Sequence, residues 1–109
     1  PVKRNALLDE AAAVQARDMA QRGVLRHEGS DGGAPGDRVS RAGYRWRSVG
    51  ENIASGQTTP QEWLRSPPHC ANLMAARFTE MGVAYAVNKD SADGIYWAQV
   101  FGRPGGRAD

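Results

Sequence analysis

The chain has 109 residues, enough for one domain with a modest core and too few for two. Its formal charge is only +2, with cations and anions mixed throughout, which excludes the basic stripe of a nucleic-acid binder. No stretch approaches the ~20 apolar residues of a membrane-spanning helix. Leu, Ile, Val and Phe are sparse beside Ala and Gly, so the core must draw on the three Trp, three Tyr and two Phe.

The chain opens at Pro1-Val2-Lys3-Arg4, without a start methionine or an apolar leader, and so reads as a processed or trimmed form of something longer. From Asn5 to Arg22 it is rich in helix formers and free of Gly and Pro. Leu8, Ala12, Gln15 and Met19 recur at spacings of three and four, with Leu7, Ala11 and Val14 beside them, which predicts an amphipathic helix closed by Gly23. Four glycines and a proline between His27 and Gly36 predict a loop. Asp37 to Ala42 reads as one short helix with Asp37 as its N-cap. Tyr44 to Ile53 alternates loosely and ends in Gly50-Glu51-Asn52-Ile53-Ala54, either a short strand or an extended turn.

Thr58 and Thr59 before Pro60 start a helix through Gln61 to Arg65, which Pro67-Pro68 must break before a second short piece from His69 to Met74. Phe78 to Val87 and Ile95 to Gly102 carry β-branched and aromatic residues and predict an antiparallel hairpin across the polar turn Asn88 to Gly94. Trp63, Tyr96, Trp97 and Phe101 read as core aromatics, whereas Trp46, between Arg45 and Arg47, reads as an exposed ring able to stack on a ligand. The tail from Arg103 to Asp109 is expected to fray. Helices first and strands last make the fold class α+β.

The two histidines, His27 at the mouth of the Gly-rich loop and His69 after Pro67-Pro68, are the natural candidates for proton transfer or metal ligation. The structural alternative is a hydrogen-bonding or solvated imidazole, and no His-Glu-x-x-His or Cys-x-x-Cys spacing selects between them. Glu51, set between Val49 and Ile53, faces an interior or a cleft if its neighbours are buried, and then needs a partner. That partner is a histidine, which makes a general-base pair, or a set of backbone amides and an Arg, which makes a structural cluster. Ser66 is not in a nucleophile elbow and fits a cap or turn. Cys70 is the single cysteine and has no internal partner for a disulfide.

In order along the chain come Leu25-Arg26-His27-Glu28-Gly29, Gly50-Glu51-Asn52-Ile53-Ala54-Ser55-Gly56, and Trp63-Leu64-Arg65-Ser66-Pro67-Pro68-His69-Cys70-Ala71-Asn72-Leu73-Met74. Phe78-Thr79-Glu80-Met81-Gly82-Val83-Ala84 and Tyr96-Trp97-Ala98-Gln99-Val100-Phe101-Gly102 complete the series. Over about residues 5 to 103 this series resembles the bacterial, SCP-like branch of the CAP superfamily, the cysteine-rich secretory proteins, antigen 5 and pathogenesis-related class 1 proteins. The resemblance implies a single domain over 1–103 with a frayed 104–109 tail, an α-β-α sandwich, and secretion or a periplasmic or envelope location. It also implies a cleft lined by two histidines and two acidic residues that in some members holds zinc or another divalent cation.

Carried across by the resemblance, His27 matches the first cleft histidine and Glu51 the cleft glutamate. Ser66 stands where eukaryotic members have a second glutamate, and Arg77 where their second histidine precedes Phe-Thr. The bacterial Ser-Pro-x-His-x-x-Asn stretch is matched by Ser66, His69 and Asn72, which puts His69 at the cleft as the substitute histidine. His27 and His69 with Glu51 then offer a three-ligand zinc site with one open position. The family also implies that Cys70 pairs with a cysteine upstream of Pro1. The function expected is a binding module for an extracellular small molecule, lipid or envelope glycan, with binding residues His27, Glu51, His69, Ser66 and Asn72. The alternatives are a metal-assisted hydrolase using Glu51 with His27 and His69, and a purely structural secreted module.

Overall fold

The computed structural model describes residues 2–56 and 77–105. The helices expected between Gln61 and Met74, and with them Trp63, Ser66, His69, Cys70 and Asn72, lie outside the described residues. Six elements follow in chain order: β1 (Lys3–Arg4), α1 (Ala6–Arg22), α2 (Pro35–Arg41), β2 (Trp46–Ser55), β3 (Glu80–Val87) and β4 (Ile95–Pro104).

The first helix forms where the sequence places it. Asn5 is its N-cap, with the side-chain oxygen accepting from the Leu7 and Leu8 amides at 2.9 and 3.2 Å. Gly23 ends it in the left-handed region at φ 65°, the conformation that glycine enters without a Cβ penalty. Replacing Asn5 by Ala should lower stability by about 1 kcal/mol. Asn5→Ser should retain most of it, as read from urea midpoints at unchanged slope.

The second helix begins two residues before the predicted Asp37, with Pro35 in its first turn and Ala34 as its N-cap residue. Asp37 serves from inside that turn, its carboxylate accepting from the Ala34 amide at 2.9 Å. The segment left open between strand and turn is a ten-residue strand, β2, because β4 pairs with it from Trp46 to Ser55 across a register shift between Trp46 and Ser48. That pairing overrides the low strand preference of Gly50, Glu51 and Asn52.

The sheet order is β1-β3-β4-β2, with β3 and β2 antiparallel to β4 and the short β1 parallel to β3. The β3–β4 hairpin is the predicted one. Strand β4, however, continues through Arg103 and Pro104, and Gly105 donates to the Arg45 carbonyl at 3.0 Å, so those residues belong to the sheet instead of a frayed tail.

Alternation in the strands divides the sheet's faces. Gly82, Ala84 and Ala86 on β3 and Tyr96, Ala98 and Val100 on β4 face the helices. There they meet Leu8, Ala12, Met19 and Val39, all fully buried. Of the predicted helix face, Leu7 and Val14 stay exposed at its margin. On the opposite face Phe101 is buried and stacks on Phe78, with ring centroids 5.5 Å apart. Trp97, read from sequence as core, lies half-buried on that same face against the exposed Tyr85 ring, centroids 5.0 Å apart.

Candidate functional site

Glu51 lies on the helix-facing side of β2, next to Val100 of β4, and its side chain is almost fully buried. Such a carboxylate must be compensated, and two groups do so. Nη2 of Arg38 donates to Oε2 at 2.8 Å, and Nδ1 of His27 lies 2.8 Å from Oε1. Arg38 reaches Glu51 because α2 packs against β2 with Arg38 and Val39 on its buried face. The guanidinium also donates to the His27 carbonyl at 2.9 Å and the Gly33 carbonyl at 3.1 Å, so one buried cation fixes both ends of the Gly-rich loop. Its Nε has no partner among the described residues.

The histidine is positioned from three directions. Gln15, buried in α1, donates to the carbonyl of the preceding Arg26. Arg38 holds the His27 carbonyl, and Glu51 holds the ring. Beyond it the loop is braced by Ser30, whose amide and hydroxyl both donate to Asp18, at 3.0 and 2.6 Å. Burial opposes ionisation of Asp18, but these bonds and the Arg22 guanidinium outweigh it and hold the carboxyl below its ordinary range. Asp31 is likewise held low by the Gly33 amide and by Arg41.

A carboxylate that already accepts from Arg38 accepts again from the imidazole, so Nδ1 carries a proton, and in the neutral ring the lone pair is on Nε2. The His27 side chain is 56% exposed, and Nε2 has no hydrogen-bond partner among the described residues. The result is a fixed imidazole with one nitrogen committed inward and the other available to a ligand.

Of the predicted site residues the structure thus joins His27 and Glu51, while His69, Ser66 and Asn72 lie outside the described residues. Both partners posed for Glu51, a histidine and an arginine, are present together. Arg38 was the residue missed. Its signal was an Arg beside Val39 on the face of a short helix, and only packing against β2 turns that into a pairing.

For a divalent ion the fit among the described residues is poor. They hold no cluster of three or more His, Cys, Asp or Glu side chains. Glu51 has a guanidinium 2.8 Å from one oxygen and an imidazole proton on the other, a setting that disfavours a second cation. Among the described residues of the site, only Nε2 of His27 remains as a donor of the right kind.

The model of the cysteine-rich secretory protein family, CAP, matches residues 1–101. The chain belongs to the CAP family. YkwD of Bacillus subtilis, named as uncharacterized, is 31% identical over 105 residues, covering 93% of this chain and 39% of that protein. An extracellular protein of Bacillus anthracis containing an SCP domain is 27% identical with a TM-score of 0.78, over 94% of this chain and 33% of that one. An outer surface protein of Borrelia burgdorferi is 20% identical with a TM-score of 0.83, over 95% of this chain and 78% of that one, and shows likeness of fold alone. This CAP chain therefore spans about two fifths of YkwD and one third of the Bacillus anthracis protein. No helix among its described residues is long and apolar enough to cross a membrane.

Proposed function

We propose that this CAP domain works outside the cytoplasm as a binding module that takes a hydrogen-bonding envelope ligand at His27. The location is supported by relatives described as extracellular or outer-surface proteins. The observation carrying the reading is that each oxygen of Glu51 already accepts a hydrogen bond at 2.8 Å. A carboxylate so occupied orients the imidazole and does not take a proton from water, which sets Glu51 apart from the general base of a hydrolase. The ligand's contact is Nε2, presented without the entropy cost of fixing the ring on binding.

Soluble muropeptides are the probe. Titrated into the wild-type domain, they should shift the His27 Nε2 resonance saturably, leave the added fragments unchanged in mass, and bind at least about tenfold more weakly to His27→Ala. Equal binding by His27→Ala would sink the proposal. Cleaved fragments would replace it with a hydrolase in which His27 is the base. Tight zinc uptake that His27→Ala abolishes would instead favour the metal-assisted reading.

A further inference from the structure

At the other end of β2, five residues from Glu51 and so roughly 17 Å along the strand, Trp46 forms a second, separate feature. Its Nε1 donates to Ser40 Oγ at 2.9 Å. The ring lies on the first turn of α2: a Cβ built on Gly36 would fall 2.9 Å from its Cζ2. One side of the indole is therefore packed and its orientation fixed, while 41% of the residue stays exposed. The ring borders an open depression of about 440 Å³ lined by Ser40, Gly43, Tyr44, Arg45 and Trp46.

Three exposed arginines neighbour Trp46 in sequence or across the register. Arg45 and Arg47 flank it in sequence, and Arg103 pairs with Ser48, next to the Pro104 that pairs with Trp46. Of the seven other described arginines, Arg4, Arg22, Arg26, Arg38 and Arg41 sit on carboxylates, Arg77 lies over the Phe78 ring, and Arg17 alone of them has neither. Among the described residues, Arg45, Arg47 and Arg103 have no carboxylate within ion-pair distance. The shift in register between Trp46 and Ser48 sets Arg47 out of the regular pleat.

We propose that Trp46 with Arg45, Arg47 and Arg103 is a binding site for an acidic polysaccharide, one sugar ring stacked on the indole and successive carboxylates on the guanidinium forks. The apolar C–H face of a pyranose suits a rigid aromatic plane, and the planar guanidinium matches a carboxylate bidentately. A bilayer surface would demand several apolar side chains able to insert, and here there is one aromatic ring, itself clamped to a helix. The site lies apart from His27, so it stands or falls independently of the reading above.

Oligogalacturonate is the probe, with neutral dextran, inorganic polyphosphate, single-stranded DNA and phosphatidylglycerol vesicles as comparisons. Wild type should bind oligogalacturonate at low ionic strength, more weakly as salt rises, and should not bind dextran. The triple variant Arg45→Gln/Arg47→Gln/Arg103→Gln, which alters only exposed side chains, should bind about tenfold or more weakly. Trp46→Ala should lose binding, and Trp46→Phe, which keeps a ring if the alanine loosens α2, should keep part of it. His27→Ala should bind as wild type does. No binding by wild type, full binding by the triple variant, or loss of binding in His27→Ala would overturn the proposal. Equal or tighter binding of polyphosphate, DNA or vesicles that ignores Trp46→Ala would show attraction to charge alone and overturn it too.

Discussion

Arg38→Ala is expected to lower the stability of the domain by about 3–5 kcal/mol, because it strands a buried carboxylate without its cation. The guanidinium is buried and bonds Glu51, the His27 carbonyl and the Gly33 carbonyl. Losing it leaves three acceptors to be resatisfied. Lysine at the same place has one ammonium for acceptors that lie in different directions, so Arg38→Lys should recover little. Glu51→Gln keeps an acceptor but leaves the buried Arg38 guanidinium without its anion, so it should also cost on the order of 3 kcal/mol, toward the lower end because the two backbone carbonyls still accept from Arg38. The double variant Arg38→Met/Glu51→Leu removes both charges and should regain most of what Arg38→Ala loses. Urea unfolding of the four proteins measures this, and a loss below about 1 kcal/mol for Arg38→Ala would show that the pair is not held in a water-poor site.

The same set should affect the imidazole differently. In Glu51→Gln the amide oxygen or nitrogen can face Nδ1, so the tautomer preference weakens while the fold persists. In the double variant the ring loses its anchor altogether. A cluster that serves only stability would show no loss of muropeptide binding in the stable double variant, whereas an orienting cluster shows it even where stability is regained.

Much of this was legible in the sequence, for reasons that can be named. The helix α1 carries its own instructions: Asn5 at the start, Gly23 at the end, no Gly or Pro between, and a buried stripe of Leu8, Ala12, Gln15 and Met19. The β3–β4 hairpin was equally plain from Tyr96, Trp97, Val100 and Phe101. Strand β2 was ambiguous because Gly50, Glu51 and Asn52 are poor strand formers, and its partner β4 follows only after the whole of β3 and the segment before it. The two-residue β1 was invisible, since its parallel pairing of Lys3 with Glu80 and Arg4 with Met81 leaves no periodic trace.

Within the site, His27 and Glu51 could be named from local chemistry and from the resemblance together. Arg38 could not be paired with Glu51, since nothing short of the fold brings residues thirteen apart on a helix and a strand to 2.8 Å. Tyr44 illustrates the same limit. Its hydroxyl donates to Glu80 at 2.6 Å, and burial together with that carboxylate raises the phenol's pKa far above its ordinary value. The contact exists because Gly102 leaves room for the tyrosine ring.

The second large effect is expected at Gly82, on the helix-facing side of β3. Its φ is not positive, so alanine is conformationally acceptable there and the question is purely one of space. A Cβ would fall 2.1 Å from the Asp9 nitrogen and 2.2 Å from the Leu8 carbonyl carbon, both backbone atoms of the first turn of α1. Overpacking against side chains usually costs about 1–3 kcal/mol; here no side chain can rotate away. At Gly50 and Gly102 the nearest atoms belong to the Phe78 and Tyr44 rings, which can shift. To restore ordinary contact at Gly82 the start of α1 must move outward by more than about 1 Å. That movement strains the bond from the Val83 amide to Asp9 Oδ1, now 2.9 Å, and withdraws Leu8 from the core. Gly82→Ala should therefore lose more than about 3 kcal/mol, exceeding the loss in Gly50→Ala or Gly102→Ala measured in the same urea titration. If Gly82→Ala proves no worse than those two, α1 is not seated as closely on β3 as the structure places it.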